Sequence, residues 1–200
     1  LDGLRESSAA IHAMLRAEMA LVGERNVVLW GLSQGCAAAL VALLTWDGEP
    51  FGAVVGMCGW LPLVSHLRDA VEGEGVGEAV GGDEEDVFED GASVHSGVEP
   101  AASALAYLLE ELGMENRLTA LSFQHVPIFL GHGVEDNKVF VNLGREAAGC
   151  LKALGADVQW NEYEELGHWY SEEMLNDIKD FLDERLYENN QALTPRIKSD

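Results

Sequence analysis

Three separated residues in this chain have the types and the order of a hydrolytic site. Ser33 lies in Gly31-Leu32-Ser33-Gln34-Gly35, a G-x-S-x-G pattern. An apolar run precedes it and an alanine-rich run follows, so the serine sits where a strand turns into a helix. A hydroxyl at such a turn is exposed to a substrate, and Gly31 and Gly35 are expected to remove side chains that would collide there. A serine is a weak nucleophile and needs a base, which in turn needs an acid to orient it.

Asp136 is the best acid candidate, in "VEDNKV" after the apolar run "VPIFLGHG". Glu135 is the immediate alternative. His168 is the base candidate, in a turn after Gly167 that follows "VQWNEY". The order serine, acid, histidine is the one used on doubly wound sheets. The free N–H of Gln34, at the start of the helix, is the candidate donor to an oxyanion. The other histidines fit worse: His12 precedes the serine, and His66 and His95 border or lie within an acidic stretch. His125 stands before a strand, at the wrong end of the sheet. His132 is read as a structural loop residue.

The elements that must position these groups can be read from the spacing of apolar residues. Leu4, Ile11, Leu15, Met19 and Val22 recur at helical intervals, and Gly23 ends that helix. Strands are predicted at Val27–Trp30, Phe51–Cys58, Val126–Leu130 and Val158–Tyr163, the first two buried on both faces. Helices are predicted at Gln34–Leu44, Ala101–Leu112, Val141–Leu154 and Ser171–Leu186. Alternating strands and helices make an α/β fold, a mostly parallel sheet covered by helices on both faces. Candidate site residues then follow strands, at the sheet's carboxyl end, where sites on such sheets form.

The 200 residues suit a single domain, interrupted at about residues 71–98 by an acidic insertion. Val71 to Gly91 is rich in Gly, Glu and Asp and has no Lys or Arg. It reads as solvated chain that cannot bury enough apolar surface to order itself. The formal charge of -23 argues against nucleic-acid binding and against adsorption to anionic lipid. The longest apolar run, Phe51 to Val64, is too short to span a bilayer. Cys36, Cys58 and Cys150 are an odd count without paired spacing, so buried free thiols in a reducing, cytoplasmic setting are expected, with no zinc site.

The motifs "GLSQG", "CGWLPL", "GHGVEDNKV" and "ELGHWYSEEM" together resemble the acyl-protein thioesterase and carboxylesterase/lysophospholipase family of α/β-hydrolases. The resemblance implies a Ser33-Asp136-His168 triad, no metal and no organic cofactor. It implies an acylated protein, a lysophospholipid or a small ester as substrate. Leu32, Trp60, Leu61 and Trp169 are candidates for an apolar acyl site, with core packing as the alternative for each. The family's opening strands and H-G-L-G-like loop, which supplies a second oxyanion donor, have no counterpart in this sequence. The stretch from Ser65 to Phe123 is longer than its family counterpart and is expected to form a lid or surface excursion. The resemblance therefore leaves two readings: an active serine esterase or thioesterase, or a truncated, impaired relative that acts as a binding protein or is a non-functional fragment.

Overall fold

A computed structural model describes residues 1–72, 100–117 and 120–191. The elements run α1 Asp2–Val22, β1 Val28–Leu32, α2 Gln34–Leu44, β2 Ala53–Met57, α3 Val64–Glu72 and α4 Pro100–Glu111. After these come β3 Ile128–Gly133, α5 Val141–Ala153, β4 Val158–Tyr163 and α6 Glu172–Gln191. The sheet has four strands in the order β1-β2-β3-β4, all parallel. Trp30 pairs with Val55, Val55 with Phe129 and Phe129 with Gln159, so the carboxyl ends align along one rim.

Side chains alternate between two cores, as the two-residue period of a strand requires. Val54, Ile128, Leu130 and Val158 face the larger core with α2, α3, α4 and α5. Ala53, Val55, Met57 and Phe129 face the smaller one, where α6 presents Met174, Ile178 and Phe181. Those three are spaced four and three apart and are at most 2% exposed. Burying each stabilises the docked helix by roughly 1.5–3 kcal/mol. Helix α2 is apolar on nearly every side because it is sandwiched between α1 and the sheet. The His12 Nε2–H of α1 donates to the Ala42 carbonyl near the end of α2, 2.8 Å away, and satisfies an acceptor the helix leaves open. Burial pushes the His12 imidazole below its ordinary pKa. It joins α1 to α2.

Three expectations change. First, β2 is buried throughout, but β1 lies at the edge of the sheet and Trp30 is 45% exposed. A short apolar run looks the same whether a strand lies at the centre or the edge. Second, the region after Ser65 contributes core rather than a lid, in the part that is described. Helix α3, which the sequence reading did not foresee, packs on α4 and α5, and Leu67, Leu105 and Leu108 are fully buried. Third, residues 71–72 belong to α3, and the rest of the acidic insertion lies outside the described residues. Cys36, Cys58 and Cys150 are all buried, and no disulfide joins them.

Candidate active site

Ser33 joins β1 to α2 with backbone angles φ 56° and ψ -122°, a conformation costly for any residue with a Cβ. Two bonds hold it there. Its N–H donates to the Met57 carbonyl at 2.8 Å, and its carbonyl accepts from the Ala37 N–H at 3.2 Å. The chain can turn this sharply because Gly31 lies directly against the Gly35 backbone, where a Cβ would collide. Gly35 does not share that role: a Cβ there would meet nothing within 4 Å. Only the first glycine of the motif is sterically required. Gln34 is the first residue of α2 and directly follows Ser33, so its N–H has no acceptor within the helix. The positive end of the α2 dipole adds to its attraction for a developing negative charge.

Asp136 follows β3 in a tight turn, its own N–H donating to the Gly133 carbonyl. Its carboxylate is buried. Oδ1 accepts the Lys138 and Val139 N–H groups at 2.9 and 3.0 Å. Oδ2 lies 2.7 Å from His168 Nδ1. Burial alone would raise the carboxyl's pKa, but the His168 hydrogen bond and the two backbone N–H groups outweigh it and hold the group below its ordinary value. Glu135, the alternative acid, is exposed.

His168 Nε2 is 2.9 Å from Ser33 Oγ. A carboxylate only accepts, so Nδ1 carries the hydrogen and Nε2 presents its lone pair to the hydroxyl. The bridged array of hydroxyl, imidazole and buried carboxylate can remove a proton from the serine as it attacks an electrophile. Two features hold the His168 turn in place. Gly133 lets the Leu166–Gly167 backbone close onto the end of β3, and the Glu135 N–H donates to the Leu166 carbonyl at 3.0 Å. Just after β2, the Cys58 thiol donates to the Trp169 carbonyl at 3.3 Å.

Cys58 was not singled out for the site by sequence. Its position at the end of a buried strand is the signal that was available. Its sulfur, an Asp136 oxygen and a His168 nitrogen lie within 4.8 Å of one another, a set able in principle to hold a metal. The carboxylate and imidazole are already bonded to each other, however, and burial pushes the Cys58 thiol up, against the thiolate that a metal needs.

The candidates for an apolar acyl site are not alike. Leu61 is 2% exposed and belongs to the larger core, so it cannot line an open site. Leu32 is half-buried and packs beside the smaller core. Trp60 is half-buried. Trp169 is 55% exposed and stacks on Tyr170 with ring centroids 5.0 Å apart. Of the remaining histidines, His66 stacks on Tyr107 and His125 is exposed. His95 lies outside the described residues. His132 is buried at the end of β3, beside Asp136.

A parallel sheet with helices on both faces, and a serine, an acid and a histidine on the loops at its carboxyl rim, defines an α/β-hydrolase. The chain belongs to the phospholipase/carboxylesterase family, whose sequence pattern matches residues 2–77 and 101–186. It is 28% identical over 191 residues to an acyl-protein thioesterase 1 of Gibberella zeae, which covers 94% of this chain and 61% of that protein. It is 24% identical to carboxylesterase SOBER1 of Arabidopsis thaliana, over 90% of this chain and 58% of that one. The crystal structure of SOBER1 shares the fold with a TM-score of 0.62 at 21% identity, over 93% of this chain and 66% of that one. That of Zea mays acyl-protein thioesterase 2 does so with a TM-score of 0.58 at 20% identity, over 92% and 65%. The chain thus spans about three fifths of the length of the curated relatives it matches.

Proposed function

We propose that this chain carries the catalytic centre of a serine hydrolase that cleaves carboxylic esters or thioesters by two-step acyl transfer. What supports this most is the single imidazole that bridges Asp136 and Ser33 at 2.7 and 2.9 Å. In the first step His168 takes the Ser33 proton and Oγ bonds to the acyl carbon. The tetrahedral oxyanion is stabilised by the Gln34 N–H. Asp136 keeps the Nδ1 hydrogen in place and stabilises the imidazolium. The leaving alcohol or thiol takes the proton from His168. In the second step His168 takes a proton from water and the hydroxyl attacks the acyl-serine; the acyl–Oγ bond breaks, His168 returns the proton to Ser33 Oγ, and the carboxylic acid departs.

The relatives' names, acyl-protein thioesterase and carboxylesterase, favour acylated proteins or small carboxylic esters as substrates, and the family's description adds phospholipids. No step needs a metal or organic cofactor. Among the described residues no helix is long and apolar enough to cross a membrane. A fluorophosphonate probe should label the folded chain and fail to label Ser33→Ala. A folded chain that stays unlabelled would favour the binding-protein reading instead. Turnover of nitrophenyl esters of increasing chain length, beside a thioester of the same acyl group, then ranks the substrate classes.

A further inference from the structure

His132 has a role in the site beyond packing. Its Nε2 lies 2.9 Å from the Val139 carbonyl and 3.3 Å from Asp136 Oδ2. Both neighbours are acceptors only, so Nε2 carries the hydrogen and its positive end faces the same oxygen that binds His168. The ring is 1% exposed and cannot exchange this arrangement for water. Its other edge is held as tightly: a Cβ on Gly144 of α5 would stand 2.5 Å from His132 Nδ1. Trp160 of β4 packs on the ring with centroids 6.0 Å apart. The titratable groups around it are few. Asp136 stands in front, Glu162 lies beside it in register on β4 and is bound by Arg145, and Cys36 of α2 lines the same small void.

We infer that His132 is a positioning residue, whose Nε2–H anchors the Val139 turn and shares Asp136 Oδ2 with His168, so that the carboxylate is fixed in both place and charge. The two ends of that N–H act together. The Val139 carbonyl it binds belongs to the residue whose own N–H binds Asp136 Oδ1. The imidazole therefore closes a ring of bonds around the acid. The inference rests on the serine-hydrolase reading and goes beyond it by adding a fourth group to the relay.

The test is the rate of fluorophosphonate labelling at Ser33, measured from about pH 5 to 9, the range in which a histidine base titrates. His132→Leu should remain folded by circular dichroism and label on the order of ten- to hundredfold more slowly, the worth of a contact to a charged group. Its acidic limb should also move to higher pH. With one donor fewer, Oδ2 retains more negative charge and favours the imidazolium beside it, so the neutral base appears later. His132→Gln, which keeps a side-chain N–H, should recover most of the rate. Gly144→Ala is the second approach. Its Cβ would take the space of His132 Nδ1, so the ring must turn out of its contacts with Val139 and Asp136, and the limb should move in the same direction. Labelling of His132→Leu within about twofold of wild type, with an unmoved limb, overturns the inference, because a lost charge-assisted contact costs more than that. If His132→Leu does not fold, a folded Gly144→Ala with the wild-type limb overturns it. A folded wild-type chain that takes no label removes the serine-hydrolase reading and this inference together. A labelled wild type with indifferent His132 variants removes this inference alone.

Discussion

Gly133 and Leu166 lie backbone to backbone, with the Leu166 carbonyl oxygen in the space that a Cβ on residue 133 would need. This contact joins the strand that carries the acid to the turn that carries the histidine. It also sets how closely Asp136 can approach His168. Gly133→Ala should force the two segments apart. Overpacking of this kind costs about 1–3 kcal/mol, and a displacement of about 1 Å in the site costs on the order of 10² in rate. Thermal unfolding and the labelling rate of Ser33 would read the two effects separately.

Ser33 itself is expected to trade stability for reactivity. Its positive φ is strained for a residue with a Cβ. Ser33→Gly should therefore abolish labelling yet raise stability by about 1 kcal/mol, the released strain less the added flexibility of glycine. For a chain of this size that is about 2–4 °C in Tm. An unchanged or lower Tm would show that other contacts of the serine outweigh its strain.

Acid should destabilise the fold through two carboxylates. Arg145 beside Glu162 holds its pKa down at about 2, with Trp160 Nε1–H adding a second bond. Asp136 is also held below its ordinary value. For both, the folded pKa is below the unfolded one, so their contribution is complete above the unfolded value, about 4 to 4.5. It is lost as pH falls toward the folded value. Glu162→Gln should flatten the stability profile between about pH 4.5 and 2 in urea titrations. At neutral pH the same change should cost no more than about 1 kcal/mol, because Arg145 is 47% exposed and the pair is screened.

Leu61 and Trp169 should behave in opposite ways. Leu61→Ala leaves a cavity in the larger core and should cost about 2–5 kcal/mol. It should leave the labelling rate of the remaining folded protein unchanged. Trp169→Ala removes an exposed ring next to His168 and should alter stability by no more than about 0.5 kcal/mol. Its effect should appear in KM for long-chain esters relative to short ones. Equal KM changes for all chain lengths would remove Trp169 from the acyl site.

How far the sequence could be read depended on whether a signal was local. Helix α2 begins and ends at Gln34 and Leu44 as the alanine- and leucine-rich run predicts. The strand Val158–Tyr163 also has its predicted bounds. Helix α3 leaves a weak mark in the sequence because it is short and leads into acidic chain. Yet Val64, Leu67 and Val71 stand at helical spacing and all pack on the core. An apolar run carries no mark of its neighbours, and among the described residues β1 has a partner strand on one side only, which leaves Trp30 exposed.

The sequence by itself determined the parallel α/β fold and the order in which Ser33, Asp136 and His168 follow its strands. Periodicity, turn glycines and chain order are properties of short stretches, and each survives without knowledge of the rest. The tertiary structure alone decided which groups meet. It set the exposed Glu135 apart from the buried Asp136, turned Leu61 into the core and brought Cys58 under the His168 turn. It also placed His132 behind the acid. Which side chains are buried, and how far apart they lie, follows from sheet register and helix packing, which no local stretch of sequence encodes.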